Sequence, residues 1–147
     1  MEQIPNYGDE RQMAFCVHCG QGIGTRDHVP SRVFLDEPYP ENLPTVPSCA
    51  KCNNGFSTDE EYVACLVDCV LAGSVSVEAA HREKVSRILR ERPALAARLA
   101  AARKVGVEGP IFDLEESRVR NVVLKLARGH VLHEMNEPHS EEPARVS

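Results

Sequence analysis

The sequence predicts an α+β fold, with short strands in the first third of the chain and helices in the remainder. Three observations predict it. Residues 14 to 34 contain a glycine-rich turn, "CGQGIGT", between short pieces typical of extended backbone. Two Cys-x-x-Cys pairs flank the loop that follows this turn. Beyond residue 60, apolar residues recur at the spacing of one helix face.

The first third alternates between extended pieces and loops. "HVPSRVF" follows the turn as a second strand or a loop. Four prolines then exclude a regular helix from "DEPYPENLPTVPS", because each lacks an amide donor and restricts the residue before it. This stretch is expected to be an ordered loop or an edge strand.

Helices are expected from residue 48 onward. Ser48 can cap a short helix over "CAKCNNGF", and Ser57 with Glu60 forms a capping-box pattern for a second helix that Gly73 can end. Two more helices are predicted, over Val77 to Lys104 with an interruption near Pro93, and over Leu114 to Glu134. The polar residues from Glu137 onward predict a disordered tail.

Composition limits the class of protein. A chain of 147 residues with 42% hydrophobic content predicts one compact domain and a tail. No basic and apolar leader is visible and no apolar run is long enough for a membrane span, so we expect a cytoplasmic protein without a membrane partner. The net charge of −5 argues against a uniformly basic nucleic-acid surface, although residues 81 to 104 hold eight Lys or Arg and two Glu. Oligomeric state is not indicated.

Four cysteines have the spacing of a metal site. They form two Cys-x-x-Cys pairs, Cys16 with Cys19 and Cys49 with Cys52. Four thiolates suit tetrahedral Zn²⁺ in a closed structural site, and in a cytosolic chain this interpretation is preferred over disulfides. Unrelated buried cysteine pairs and a redox-active pair are the weaker alternatives. The remaining cysteines, Cys65 and Cys69, share a helix face and are expected in the core.

The loop between the cysteine pairs carries a family resemblance. The residues "CVHCG", "RDHVP" and "ENLPTVPSCAKCNNGF" occur in an order that resembles the zinc-bearing HNH endonucleases. The match covers roughly residues 14 to 57, and Asn53 stands at a family position that is often His. The resemblance implies a ββα-metal core, also called a His-Me finger, that cuts DNA to leave 5′-phosphate and 3′-hydroxyl ends.

The resemblance assigns roles that agree with the chemistry of the residues. His28 is the expected general base, because imidazole can be neutral near pH 7 and accept a proton from water. Asp27 and Asn53 are the expected ligands of a catalytic Mg²⁺ or Mn²⁺, since such ions prefer oxygen donors. Asn42 is expected to fix the loop that bears His28 by a hydrogen bond to its backbone.

Basic residues near this loop are candidate phosphate contacts. Arg26, Arg32 and Lys51 are expected to bind nucleic acid, with surface salt bridges as an equally weighted alternative. His18 can be a surface residue or, less often, a substitute zinc ligand. His130 and His133 lie three residues apart on a predicted helix, where a solvated or core-edge role is preferred over a metal.

The sequence therefore predicts a zinc-bound HNH nuclease core over residues 1 to 60, a helical region packing on it over residues 61 to 136, and a tail over residues 137 to 147. The expected activity is metal-dependent endonucleolytic cleavage of DNA, with RNA left open. The alternative is a non-catalytic zinc module that binds nucleic acid or a protein partner.

Overall fold

A computed structural model of the chain describes residues 14–79, 81–139 and 141–145. Within these residues the fold is α+β, with two β-hairpins and four α-helices. The elements in chain order are β1 (Thr25–His28), a 3₁₀ turn (Arg32–Phe34), β2 (Thr45–Ser48), α1 (Ala50–Ala72), α2 (Glu83–Glu91), α3 (Pro93–Ala102), β3 (Arg103–Gly106), β4 (Gly109–Phe112) and α4 (Glu116–Met135).

The described residues form two compact units, and the first is discontinuous in sequence. Unit 1 contains the described parts of residues 1–57 and 120–147, and unit 2 contains those of residues 58–119. The sequence-based division at residues 60 and 137 differs, because it assigned all of residues 61–136 to one helical region. Most of α4 belongs with the N-terminal elements.

In unit 1, β1 and β2 form an antiparallel hairpin in which Asp27 pairs with Val46 and His28 with Thr45. Residues 45–48, expected as a loop or an edge strand, are thus a strand. Pro47 is compatible with it because its carbonyl still accepts a hydrogen bond, from the Val17 amide at 3.0 Å. A cluster of buried aliphatic side chains stabilises the hairpin: Val17, Val29, Val46 and Leu132.

One helix replaces the two that were predicted after residue 48. α1 continues through Ser57, whose Oγ donates to the Asn54 carbonyl at 2.9 Å inside the helix. The predicted capping box at Ser57 is therefore wrong, because the preceding residues already continue the helix and leave no terminus to cap. Gly73 ends α1 as predicted, with a positive φ of 66°.

Unit 2 is built from three helices, with a hairpin that the sequence did not reveal. α2 and α3 meet at Pro93, which starts α3 because a first helical position needs no amide donor. β3 begins at Arg103, where the helical segment predicted to be interrupted near Pro93 was expected to continue to Lys104, and β4 follows it. The core includes Tyr62 and Leu99, together with Cys65 and Cys69, which are fully buried as predicted.

None of the helices among the described residues combines the length and the apolar composition that crossing a bilayer would require.

Candidate metal centre and the strand beside it

The first cysteine pair lies in a tight turn before β1. The Cys16 amide donates to the Gln21 carbonyl at 2.7 Å, and the Gly20 amide donates to the Cys16 carbonyl at 2.8 Å. Gly20 has a φ of 74°, a left-handed conformation that is readily available to glycine. The turn therefore points both thiols of the pair to one side.

The second pair lies at the start of α1. Cys49 precedes the helix and Cys52 lies in its first turn, with the Cys52 amide 3.4 Å from the Cys49 Sγ. Unpaired amides and the positive end of the helix dipole favour negative charge at this position. The start of α1 thus places both sulfurs of the second pair beside the first turn of the helix.

The β1–β2 hairpin brings the pairs together. Hydrogen bonds join the first turn to β2, from Val17 to Pro47 at 3.0 Å and from Gly24 to Ser48 at 3.3 Å. The four Sγ atoms lie within 4.8 Å of one another, and those of Cys19 and Cys49 are 3.9 Å apart. Tetrahedral zinc with Zn–S bonds of about 2.3 Å places its sulfurs about 3.8 Å apart. The cluster is a possible four-cysteine zinc site.

The thiols of this cluster differ in acidity. Burial raises the pKa of Cys16, but backbone hydrogen bonds from Cys49, His18 and Cys19 outweigh it and lower the pKa to about 6. Burial and the neighbouring thiols raise the pKa of Cys52 well above its usual value. The Cys16 thiolate forms readily while Cys52 resists a second negative charge, and a divalent cation would relieve that repulsion.

Asp27 and His28 are adjacent on β1 and therefore face opposite sides of the hairpin. His28 is half-buried. Burial and the positive charge of Arg32 lower its pKa below the usual value. The imidazole is therefore neutral at pH 7, which is the form that can accept a proton.

Asp27 is buried in a charged network. Its Oδ2 lies 3.0 Å from the Lys125 Nζ and 3.3 Å from the His18 Nε2, and its Oδ1 lies 3.2 Å from the same Nζ. Burial raises the pKa of Asp27, but the His18 hydrogen bond and the Lys125 charge outweigh it and lower the pKa. Asp27 is therefore an ionised carboxylate with cationic or donor groups on both oxygens.

Asn53 ties α1 to β1. Its Nδ2 donates to the Thr25 Oγ1 at 3.2 Å, and that hydroxyl donates to the Ser48 carbonyl at 2.9 Å. Thr25 and Asp27 are two residues apart on one strand, so Asn53 contacts the face of β1 that also bears Asp27. The hydrogen bond locates the first turn of α1 against β1.

Asn42 borders an open cleft beside the loop that follows His28. The cleft has a volume of about 320 Å³, and its lining includes Val29, Pro30, Asn42, His130 and His133. Asn42 is exposed. Its predicted hydrogen bond to the loop that bears His28 stays a prediction.

The three predicted phosphate contacts have different surroundings. Arg26 donates through Nε to the Thr45 Oγ1 at 3.3 Å, and the Arg32 guanidinium lies 5.2 Å from the centre of the Tyr39 ring. Lys51 is exposed in the first turn of α1. Binding of nucleic acid by Arg26, Arg32 and Lys51 stays a prediction.

The basic segment of residues 81 to 104 is partly neutralised within unit 2. Four of its cations pair with carboxylates, and the pairs are Arg82–Asp68, Arg92–Glu61, Arg98–Glu115 and Lys104–Asp113. Three of these pairs are partly or largely exposed, whereas the carboxylate of Asp68 is buried.

Two residues of the Asp27 network were not predicted from the sequence. His18 was expected at the surface or as a zinc ligand, but it is buried against Asp27 and packs edge-on to Phe56 with ring centres 4.9 Å apart. Lys125 is 4% exposed. Its sequence signal is a single lysine inside the apolar run "VVLKLA", which on a packed helix indicates a buried charge that needs a partner.

No family model, no curated protein and no solved structure matches this chain.

Proposed function

We propose that unit 1 is a zinc-supported endonuclease that hydrolyses phosphodiester bonds in DNA, with His28 as general base. The observation that supports this best is that a second strand and a helix both contact β1. β1 bears His28, β2 pairs with it, and the first turn of α1 is tied to it by the hydrogen bond from Asn53 to Thr25. This is the arrangement that the resemblance to HNH endonucleases implies.

The role of His28 follows from its environment. A neutral imidazole accepts a proton from water, whose oxygen then attacks the phosphorus as the bond to the 3′-oxygen breaks. The products are a 3′-hydroxyl and a 5′-phosphate. The positive charge of Arg32 lowers the pKa of His28, and the same charge would attract a phosphate.

A catalytic Mg²⁺ or Mn²⁺ at Asp27 does not fit the residues as they are arranged. Such an ion needs oxygen ligands at about 2.1 Å in an open octahedral shell. The Asp27 carboxylate is 5% exposed, and Lys125 already lies on both of its oxygens. The role of Asp27 and Asn53 as ligands of a divalent ion stays a prediction of the resemblance.

The same contact favours a second candidate function. Held in a buried ion pair, the Asp27 carboxylate is not an accessible acidic group beside His28. A non-catalytic zinc module that binds nucleic acid or a protein partner requires no such group. Cleavage distinguishes the two functions.

A plasmid-nicking assay of the zinc-loaded protein tests the proposal. The parent should convert supercoiled DNA to open circles, and His28→Ala should reduce the rate about 10²-fold, as is typical of losing a general base. His139→Ala is the matched control, because this histidine is exposed beyond α4 and should leave the rate unchanged.

Circular dichroism and zinc content must first show that both variants are folded. A folded His28→Ala protein that cuts at the parental rate would remove the mechanism. A parent that binds nucleic acid but cuts neither DNA nor RNA would favour the binding module.

A further inference from the structure

The site around Asp27 contains its own cation. The Lys125 ammonium lies 3.0 Å and 3.2 Å from the two oxygens of Asp27 and 2.7 Å from the Ser31 Oγ. An ammonium group has three hydrogens to donate, and these three acceptors match that number. The Lys125 Nζ also lies over the Phe56 ring, 5.5 Å from the ring centre, which is within the range of a cation–π interaction.

Burial makes this contact more than a surface ion pair. Lys125 is 4% exposed and Asp27 is 5% exposed. Neither charge would remain in so dry a position without its partner, because desolvating an unpaired charge costs several kcal/mol. The two residues therefore form a single neutral unit within the fold.

The position of Lys125 is set by close packing of α4 against the end of β1. Gly129, one turn further along α4, faces Val29, and a Cβ at residue 129 would lie 2.7 Å from the Val29 Cγ2. Leu132 joins Val29 in the buried aliphatic cluster of unit 1. Close packing thus places this part of α4 against the end of β1, where the Lys125 ammonium contacts Asp27.

We propose that Lys125 takes the place of a divalent cation at Asp27, so that this site binds no Mg²⁺ or Mn²⁺ in the folded protein. The inference refines the proposed nuclease site, but it rests on the geometry of the carboxylate and not on cleavage. An ion bound to Oδ2 would lie beside the positive Nζ and would have to displace the His18 hydrogen bond as well.

The consequence for the proposed reaction is that Lys125 is a positioning residue. Its ammonium is buried away from substrate, and it holds β1 in place through Asp27 while His28 faces the other side. Any divalent ion that cleavage requires would then have to bind away from Asp27.

The test uses the full-length, zinc-loaded protein labelled with ¹⁵N and titrated with Mn²⁺, whose unpaired electrons broaden nearby amide signals. With Lys125 in place, the amides of Asp27 and His28 should broaden no more than exposed amides of unit 2, up to about 1 mM Mn²⁺, the range of weak sites. Selective loss of the Asp27 and His28 signals would overturn the proposal.

Lys125→Ala supplies the converse experiment. Removing the ammonium should create a Mn²⁺ site, so the same β1 amides should now broaden selectively. The additional change Asp27→Asn should abolish that gain. A folded, zinc-loaded Lys125→Ala protein that shows no selective broadening would contradict the claim that the ammonium excludes the ion.

A fold control keeps the test decisive. If Lys125→Ala alone does not fold, Lys125→Met replaces it, because its unbranched side chain fills the same volume without charge. Since neither titration uses nucleic acid, a failed nicking assay would remove the proposed nuclease function and leave this inference standing.

Discussion

Two clusters of ionisable side chains lie close together in unit 1, and they are built differently. The four cysteines converge to within 4.8 Å, and all four are thiols that carry negative charge or none. Asp27 instead contacts Lys125, whose ammonium lies within hydrogen-bonding distance of both carboxylate oxygens. The first cluster is a possible zinc site that offers only thiol ligands, whereas the second already contains a cation. A group of metal-ligating residue types therefore indicates a metal only where the fold supplies no competing ammonium.

The largest expected effect is the loss of the cysteine cluster. Cys49→Ser should release zinc and unfold unit 1, since structural zinc contributes on the order of 10 kcal/mol to such sites. Metal analysis and circular dichroism measure it, with about one zinc per chain in the parent. Cys65→Ala is the matched control, because that cysteine is buried in unit 2 and should leave zinc content unchanged. An unchanged spectrum for zinc-free protein would contradict the structural role.

The next effect is the loss of stability when the buried ion pair between Lys125 and Asp27 is broken. Lys125→Met should lower the free energy of unfolding by about 3–5 kcal/mol, because it leaves Asp27 charged and buried without its partner. The double change Asp27→Asn with Lys125→Met should recover much of that loss. Urea unfolding in the presence of zinc measures both.

Lys104→Met is the control for this comparison. Lys104 and Asp113 form an exposed pair in unit 2, and such pairs contribute about 1 kcal/mol or less. Equal effects of Lys104→Met and Lys125→Met would show that the buried network has no special stability.

A smaller effect concerns the docking of α4. Gly129→Ala should destabilise the protein by about 1–3 kcal/mol despite the better helix propensity of alanine, because the new methyl group would lie 2.7 Å from a Val29 methyl. Gly55→Ala in α1 meets no atom within 4 Å and should instead stabilise by up to about 1 kcal/mol. Thermal or urea unfolding checks the pair, and stabilisation by both changes would contradict the close packing.

The smallest effect is a shift in pH dependence. If His28 is the base, the cleavage rate should fall as the pH drops through its pKa, which lies below the usual 6.5 because of burial and the Arg32 charge. Arg32→Met should move this limb to higher pH, since it removes a charge that opposes protonation. The absence of an acid limb from the rate profiles of both proteins would exclude His28 as the titrating base.

The sequence alone specified the cysteine cluster, because two Cys-x-x-Cys pairs are local patterns that need only to be brought together. The buried positions of Cys65 and Cys69 followed equally well from helical spacing. The sequence did not specify the Asp27 network, because Lys125 lies 98 residues further along the chain and contacts Asp27 only through tertiary packing. The β3–β4 hairpin was missed because β3 begins inside a predicted helix and no element was assigned to residues 105 to 113, although the glycines and proline of "GVEGP" are turn signals.

Anomalous X-ray diffraction from crystals of the zinc-loaded protein soaked in Mn²⁺ tests the contrast between the two clusters most directly. Data at the zinc edge should show one peak among the four sulfurs of Cys16, Cys19, Cys49 and Cys52. Anomalous data that distinguish manganese from zinc should show no manganese peak within bonding distance of the Asp27 oxygens. The Lys125 ammonium should occupy that position. A manganese peak bound to Asp27, with Lys125 displaced, would contradict the account.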